Sequence, residues 1–414
     1  MTGDGPLKGI RVVEVGTMLA APFAATLFAD FGAEVIKIEQ PGVGDTLRQT
    51  GSGPEDNMSW SFVVDARNKR SVALDLRQEA GQELFRRLVA DADVLVENFR
   101  PGTLERWELG WEELHRLNRR LVMVRISGFG QQGPYSDRAG FDRIALGFSG
   151  YMYPTGYPEM PPVRPAVATA DYLTATFAAF SAMMALHWRD TGGDEGQMID
   201  LGLYEAPFRI SSSLMASFLR DGNVRERVGN RNPGFVPAGN FLTRDERWIQ
   251  IAAGADGVWR RLATVMDRAE LIDDPRYATA PERSSRADEL ETLVKVWVGG
   301  MDFADVERAL LEGGVPAGGI LSAADIAADP HYEARGNIAT VPDDRFGGVP
   351  MPEVVPRLSR TPGRIDHAGP RLGADTHAVL GDLLGIAPEE LDRLAGEGII
   401  GQHVASESPE AKER

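Results

Sequence analysis

The sequence has 414 residues, of which 43% are hydrophobic and 25% are charged, a composition typical of a soluble globular protein long enough for two domains. Its formal net charge of −17 argues against nucleic acid or an anionic membrane as the main partner, because both are bound through clustered Lys and Arg. The lack of cysteine excludes disulfides, thiolate metal sites and a Cys nucleophile, and the six scattered histidines predict no metal site.

The N-terminal residues 1–8 lack the charged and then apolar pattern of a leader peptide. No uninterrupted apolar stretch reaches the length of a membrane span. With a cysteine-free composition, these observations predict a cytoplasmic protein that does not bind membranes.

Apolar strands alternate with amphipathic helices over the first half of the chain. Strands are predicted at 9–15, 33–39, 71–76, 94–99, 121–126 and 196–201, and helices at 21–31, 78–90, 111–117, from about 141, and at 172–188. This alternation predicts an α/β fold: a doubly wound, Rossmann-like parallel sheet with helices on both faces.

The second half has a different pattern. A hairpin is predicted at 241–253, helices at 258–266, 286–298 and 303–312, and a closing helix at 375–384. We therefore predict a large α/β domain made of 1–210 plus 331–414, a small α+β domain at 225–325, and linkers at 211–224 and 326–345. The acidic tail from about 406 is predicted to be disordered.

Basic and aromatic residues lie around the predicted third strand and after the predicted fourth strand. They are Lys69, Arg70, Arg77, Arg100 and Arg106, with Phe99 and Trp107 among them. They form either a surface on which a purine could stack or a solvated basic face with two core aromatics, and the pattern alone favours neither. The first strand leads to Gly16-Thr17-Met18, not to Gly-x-Gly-x-x-Gly, which disfavours a dinucleotide dehydrogenase.

Asp171 lies where a Pro-restricted segment gives way to a long apolar helix. A carboxylate at a helix start lies near free backbone N–H groups, which favour its ionised, nucleophilic form. By position alone, however, an aspartate there is more often an N-cap.

A set of short motifs resembles the class III CoA-transferases, the family of the formyl-CoA and carnitine CoA-transferases. The motifs are LKGIRVVE (7–14), GAEVIKIE (32–39), NKRS (68–71), VENF (96–99) with PG (101–102), SGFG (127–130), GQ (196–197), GNR (229–231), GVPAG (314–318) and GADT (373–376). Each is weak alone, but their order and spacing extend over nearly the whole chain.

The resemblance implies that Asp171 is a covalent nucleophile. Its carboxylate would attack an acyl-CoA thioester to give a mixed anhydride and then an aspartyl-CoA thioester, before an acceptor acid reverses the steps. Coenzyme A would thus be a co-substrate, and no metal is implied. The resemblance also implies an interlocked homodimer, with the CoA site between the large domain of one subunit and the small domain of the other.

Further residues acquire roles only by resemblance. Those implied to line the pantetheine are Thr17, Met18 and Ala20, and those implied to hold the adenosine-phosphate end are Leu74, Arg77, Asn98, Phe99, Arg106 and Trp107. Asp142 resembles an acidic position near the nucleophile, although it is equally consistent with an N-cap or an ion pair to Arg138 or Arg143. A glycine-containing loop with Gly229, Asn230 and Gly234 resembles one that covers the acyl site.

Departures from the family pattern bear on the substrate. Gln40 replaces a basic residue of the formyl-CoA enzyme, Thr17 replaces an imidazole, and 229–234 is not an oligoglycine run, which argues against oxalate and formyl-CoA. Arg164, Arg231 and Tyr153 are candidates to hold a second carboxylate. We therefore expect a small dicarboxylate, such as succinate or a methylated C4/C5 diacid, as donor or acceptor.

Three alternatives remain open at this point. An α-methylacyl-CoA racemase needs a histidine where this chain has Phe141, which cannot exchange a proton. An intramolecular CoA-transferase would use the same nucleophile and is harder to exclude. A noncatalytic acyl-CoA-binding protein would tolerate loss of Asp171.

Overall fold

The computed structural model describes residues 5–53, 58–232 and 234–401. The chain divides into two compact units. The large unit comprises Met1–Tyr151, Pro165–Ser212 and Gly336–Arg414, and the small unit comprises Met152–Arg164 and Ser213–Arg335. The predicted boundaries differ from this division, because residues 152–164 belong to the small unit and the predicted linker 211–224 contains a helix.

The large unit begins with alternating strands and helices, and most residues of its first five strands are buried because both sheet faces are covered. Its first strands are β1 (Arg11–Glu14), β2 (Glu34–Glu39), β3 (Lys69–Leu74), β4 (Val94–Glu97), β5 (Val122–Ser127) and β6 (Met198–Gly202). Its first helices are α1 (Ala20–Ala29), α2 (Trp60–Asp65), α3 (Glu79–Ala90), α4 (Thr103–Arg106), α5 (Trp111–Leu117), α6 (Asp142–Phe148), α7 (Thr169–Trp188) and α8 (Glu205–Ile210).

The small unit follows with its own sheet and core. Its elements are α9 (Leu214–Asp221), β7 (Ala238–Leu242), β8 (Trp248–Ala252), α10 (Asp256–Val265), α11 (Ala280–Ser285), α12 (Ala287–Gly299), α13 (Phe303–Glu312), β9 (Ala317–Gly319), α14 (Ala323–Ala328) and α15 (Pro330–Ala334). β7, β8 and β9 form an antiparallel sheet in that order. Trp259 and Leu262 of α10 are buried in the core beside this sheet.

The chain then returns to the large unit. The remaining elements are β10 (Ile338–Asp343), β11 (Gly347–Pro352), α16 (Thr376–Leu384), α17 (Pro388–Gly396) and β12 (Ile400–Gly401). The antiparallel pair β10–β11 was not predicted, because Pro342, Pro350 and Pro352 argue against strands. Prolines are tolerated in a two-stranded ribbon because each strand has a free edge.

The main sheet has the strand order β12-β3-β2-β1-β4-β5-β6. β12 pairs antiparallel with β3, whereas the other strands are mutually parallel. The chain therefore winds outward in one direction from β1 through β2 and β3, and in the other from β4. Ligands of such sheets bind at the carboxyl ends of the strands, where the winding direction changes.

In the part of the chain that the structure describes, no helix combines the length and the apolarity that a bilayer span requires.

Candidate active site

A cleft of about 220 Å³ lies at the carboxyl ends of β1 to β4, where the winding direction changes. Five residues expected at a CoA site line it: Thr17, Leu74, Arg77, Phe99 and Trp107. Gln40, which stands where the formyl-CoA enzyme has a basic residue, also lines it, as do residues that were not predicted, among them Ile38, Glu39, Asp45 and Asp75. Most of the unpredicted residues follow β2 or β3, so their position at this edge depends on the order of the strands.

Both aromatic and charged side chains line this cleft. The rings of Phe99 and Trp107 meet edge to face with centroids 5.6 Å apart. The Arg77 guanidinium is 60% exposed and forms a 2.8 Å ion pair with Asp75. Its hydrogen bonds lower the pKa of Asp75 to about 2. The cleft therefore offers aromatic rings and one accessible cation whose charge is partly balanced by Asp75.

The other four residues implied to hold CoA do not line this cleft. The Asn98 amide binds the backbone of Thr17, and the Met18 N–H donates to Asp45. Ala20 is buried at the start of α1. Arg106 is exposed and donates to the Thr103 hydroxyl. Their predicted contacts with CoA remain predictions.

Asp171 lies in the first turn of α7 and is half-buried. The N-cap of this helix is Ala168, so Asp171 is the third helical residue and the expectation that it caps the helix is wrong. Within the described residues its carboxylate makes no hydrogen bond or ion pair. An unpaired carboxylate at a partly buried position is rare in structural roles, because burial of a charge is costly without a partner.

Burial raises the pKa of Asp171 from 3.8 to about 7, and the nearby negative charge of Asp142 adds to this effect. The helix start was expected to favour the ionised form of this group, but burial shifts its pKa in the opposite direction. Desolvation outweighs the field of the N-terminal N–H groups. The carboxyl group titrates near neutral pH, where both protonation states are populated.

Asp142 connects the start of α6 to the start of α7. It is buried, and its Oδ1 accepts a 2.7 Å hydrogen bond from the backbone N–H of Ala170, the residue before Asp171. The N-cap of α6 is Phe141, so Asp142 does not cap its own helix. Instead it satisfies a free N–H of α7 and thereby fixes the turn that carries Asp171.

Tyr172 and Asp65 form a second polar contact beside Asp171 that the sequence did not suggest. The Tyr172 hydroxyl donates to Asp65 Oδ2 over 2.6 Å, and burial raises the pKa of Asp65. The Tyr172 ring packs edge to face on Phe23 of α1, with centroids 4.7 Å apart. These contacts hold α7 against α1.

In the small unit, a cavity of about 640 Å³ is bordered by the predicted glycine loop. Asn230, Arg231 and Gly234 line it. Gly229 has φ +66°, and a Cβ there would lie 2.6 Å from the Tyr157 ring, whose hydroxyl accepts a hydrogen bond from Asn230. This position therefore requires glycine for both conformation and space.

The three candidates for binding a substrate carboxylate already take part in other interactions. The Arg231 guanidinium pairs with Glu291 at 2.7 Å and with Asp288. The Tyr153 hydroxyl donates to Glu226 over 2.9 Å. A substrate carboxylate would have to compete with these groups. Arg164 is half-buried in the small unit, and all three assignments remain predictions.

Across the described ranges, no cluster of His, Cys, Asp or Glu has an arrangement that could hold a metal ion.

Comparison with known proteins shows to which family this chain belongs. The family model for CoA-transferase family III matches residues 7–376. The chain is 44% identical to the succinyl-CoA–D-citramalate CoA-transferase of Chloroflexus aurantiacus, over 95% of this chain and 98% of that protein. It is 43% identical to the alpha subunit of the succinyl-CoA–L-malate CoA-transferase of Chloroflexus aurantiacus, over 95% and 92% of the two chains.

A solved structure agrees with this result. The crystal structure of a CAIB/BAIF family protein from Brucella suis superposes with a TM-score of 0.83 at 34% identity, and the match covers 92% of this chain and all of that one. The chain therefore belongs to CoA-transferase family III. It is a class III CoA-transferase, which confirms the resemblance inferred from its motifs and the expectation of a CoA thioester as co-substrate.

Proposed function

We propose that this enzyme transfers CoA from succinyl-CoA to a second small dicarboxylic acid, with Asp171 as the covalent nucleophile. The observation that carries the proposal is the half-buried Asp171 carboxylate, which has no hydrogen-bond partner among the described residues and whose pKa is raised to about 7. A carboxylate without a partner retains its full nucleophilicity, and perturbed pKa values cluster at functional sites.

The reaction begins when an Asp171 oxygen attacks the thioester carbonyl carbon. The carbon–sulfur bond breaks, and the products are a succinyl-aspartyl anhydride and the CoA thiolate. The thiolate then attacks the aspartyl carbonyl, which expels succinate and forms an aspartyl-CoA thioester. Each step preserves acyl activation that hydrolysis would destroy, so water must be excluded.

The acceptor acid completes the exchange. Its carboxylate attacks the aspartyl-CoA carbonyl, which forms a new anhydride and releases the thiolate. The thiolate attacks the acceptor carbonyl of this anhydride, so that the new acyl-CoA leaves and the Asp171 carboxylate is regenerated. Asp142 supports these steps because it fixes the turn of α7 through Ala170.

The cleft at the carboxyl ends of β1 to β4 supports the proposed CoA site. Its volume of about 220 Å³ is below the roughly 300–1,000 Å³ of pockets that enclose a whole drug-sized ligand. We assign it to the adenosine part of CoA, with Phe99 and Trp107 as the stacking surface and Arg77 as the phosphate contact. This assignment leaves the thioester end to lie outside the cleft.

The choice of substrate rests on the relatives. The two relatives are named for succinyl-CoA and for D-citramalate or L-malate, which are all small dicarboxylic acids or their thioesters. We propose the same substrate class for this chain. Arg164, Arg231 and Tyr153 remain the proposed contacts of the second carboxylate.

A homodimer in the cytoplasm completes the proposal. α7 buries Ala178, Ala182 and other small residues on one face, but Phe180, Met184 and Trp188 on another face are 50–59% exposed. Large apolar residues exposed on one helix face are typical of an interface. A second copy of the chain is the proposed partner.

An assay with a panel of acids tests this function. Purified enzyme is incubated with succinyl-CoA and D-citramalate, L-malate or butyrate, and the acyl-CoA products are measured by chromatography and mass spectrometry. We expect transfer to the dicarboxylates and none by Asp171→Asn. Efficient transfer only to monocarboxylic acids would overturn the substrate class. Isomerisation of an acyl-CoA without any acceptor acid would instead favour a racemase or an intramolecular transferase.

A further inference from the structure

The segment 16–19 joins β1 to α1 and extends from the nucleotide cleft towards the nucleophile. Gly16 and Thr17 line the cleft. Three residues after the start of α1, Phe23 contacts Tyr172, the residue that follows Asp171. A shift of this loop would therefore be transmitted to both ends of the proposed site.

One side chain holds both backbone groups of Thr17. The Thr17 N–H donates to Asn98 Oδ1 over 2.9 Å, and Asn98 Nδ2 donates to the Thr17 carbonyl over 2.8 Å. Asn98 also approaches Gly16 closely, because a Cβ on Gly16 would lie 2.9 Å from Asn98 Oδ1. Both polar atoms of this amide are thus engaged by the loop, and Asn98 does not line the cleft.

A second side chain holds the next residue. The Met18 N–H donates to Asp45 Oδ1 over 2.8 Å, and the same oxygen accepts from the Leu47 N–H over 2.9 Å. Met18 has φ +65°, a left-handed conformation that is unfavourable for a side chain of this size. The Asp45 contact stabilises this strained turn.

The hydrogen bond from Met18 to Asp45 is anchored in the core, because Asp45 belongs to a group of buried side chains with equal numbers of positive and negative charges. Lys37 Nζ lies 2.8 Å from Asp45 Oδ2, 2.5 Å from Glu14 Oε1 and 3.1 Å from the Gly16 carbonyl. Lys69 pairs with the other Glu14 oxygen at 2.7 Å. Two cations thus face two anions, and all four side chains are at most 1% exposed. Movement of Asp45 away from Lys37 would leave a buried charge without its ion-pair partner, which is costly.

We propose that Asn98 and Asp45 are positioning residues that clamp the backbone of Thr17 and Met18, so that loop 16–19 holds the pantetheine arm and its thioester in register with Asp171. The assignment rests on the proposed function. It differs from the role implied by the resemblance, in which Asn98 contacts the nucleotide. It also gives a role to Asp45, which the sequence did not single out.

A truncated substrate distinguishes positioning from nucleotide contact. Succinyl-pantetheine carries the thioester but lacks the nucleotide. Asn98→Ala removes both bonds to Thr17, so we expect kcat/KM for succinyl-CoA and for succinyl-pantetheine to fall by the same factor, roughly 10- to 100-fold. Arg77→Ala, which alters the nucleotide cleft itself, should lower the rate with succinyl-CoA preferentially.

Hydrogen exchange provides a readout that does not depend on the reaction. In Asn98→Ala, peptides covering residues 15–24 should take up deuterium several-fold faster, while peptides covering β4 stay protected. Asp45→Asn keeps an acceptor for the Met18 N–H, so it should retain more of both rates than Asp45→Ala. A loss confined to succinyl-CoA, or unchanged exchange at 15–24, would overturn the clamp.

The two proposals can fail separately. If the wild-type enzyme transfers CoA from no thioester, the proposed function is wrong and hydrogen exchange alone decides whether the clamp exists. If exchange rises but neither rate falls, the loop is held by these residues but does not position the substrate, and the inference is overturned.

Discussion

Replacement of Asp171 by asparagine is expected to stabilise the fold while it abolishes transfer. The structure raises the pKa of this carboxyl from 3.8 to about 7 through burial and then through Asp142. Each pKa unit corresponds to about 1.4 kcal/mol, so ionisation in the folded state costs up to about 4 kcal/mol at pH 8. Solvent screening of a half-buried group reduces this estimate to about 2 kcal/mol.

The pH dependence of this gain follows from the sign of the shift. When the pKa of a carboxyl group is higher in the folded state than in the unfolded state, its contribution to stability is complete at a pH below the pKa of the unfolded state. For Asp171 this contribution is lost as the pH rises from about 4 to 7. The advantage of Asp171→Asn should therefore be near its maximum at pH 8 and about half as large at pH 5.5.

Scanning calorimetry at the two pH values measures the effect. At pH 8 we expect the Tm of Asp171→Asn to exceed that of the wild type by roughly 2 °C. A matched control is Asp190→Asn, because hydrogen bonds from Arg189 lower the pKa of Asp190 and its replacement should decrease Tm at pH 8. If Asp171→Asn were less stable than the wild type at pH 8, or equally stabilised at both pH values, the argument from desolvation would be refuted.

Three further predictions follow from the site. The kcat/KM for transfer should rise with pH through about 7 as Asp171 ionises, and Asp142→Asn should move this limb to lower pH, which a pH profile of initial rates will measure. Gly229→Ala should cost about 1–3 kcal/mol in urea unfolding, because it forces φ +66° on a residue whose Cβ meets the Tyr157 ring. If α7 forms the interface of the proposed homodimer, Trp188→Lys should shift the chain from dimer to monomer in analytical ultracentrifugation, while an unchanged dimer would place the interface elsewhere.

Most elements of the large unit could be predicted from periodicity. Strands such as β1 and β4 are short apolar runs, and α5 was predicted with its observed bounds because Gly110 and Asn118 delimit it. The strand order and the antiparallel addition of β12 could not be predicted, because pairing depends on contacts between distant segments. The hairpin β10–β11 was missed because its prolines resemble loop composition.

In the candidate site, too, some features could be predicted from the sequence and others could not. Asp171 could be singled out by its position at a helix start, but its raised pKa depends on burial that the sequence does not display. Lys69 was grouped with surface cations, whereas it is fully buried and paired with Glu14. A lysine inside an apolar strand could have suggested a buried ion pair, since lysine is almost never buried alone. Its partner, on another strand, could not have been identified.

Trapping of the acyl-enzyme is the most direct test of the central claim that the side chain at position 171 becomes acylated. The enzyme is incubated with succinyl-CoA, quenched with hydroxylamine and digested for peptide mass spectrometry. We predict an aspartyl hydroxamate at Asp171 that depends on the thioester and is absent in Asp171→Asn. A modification at another residue, or none while the enzyme turns over, would contradict the mechanism.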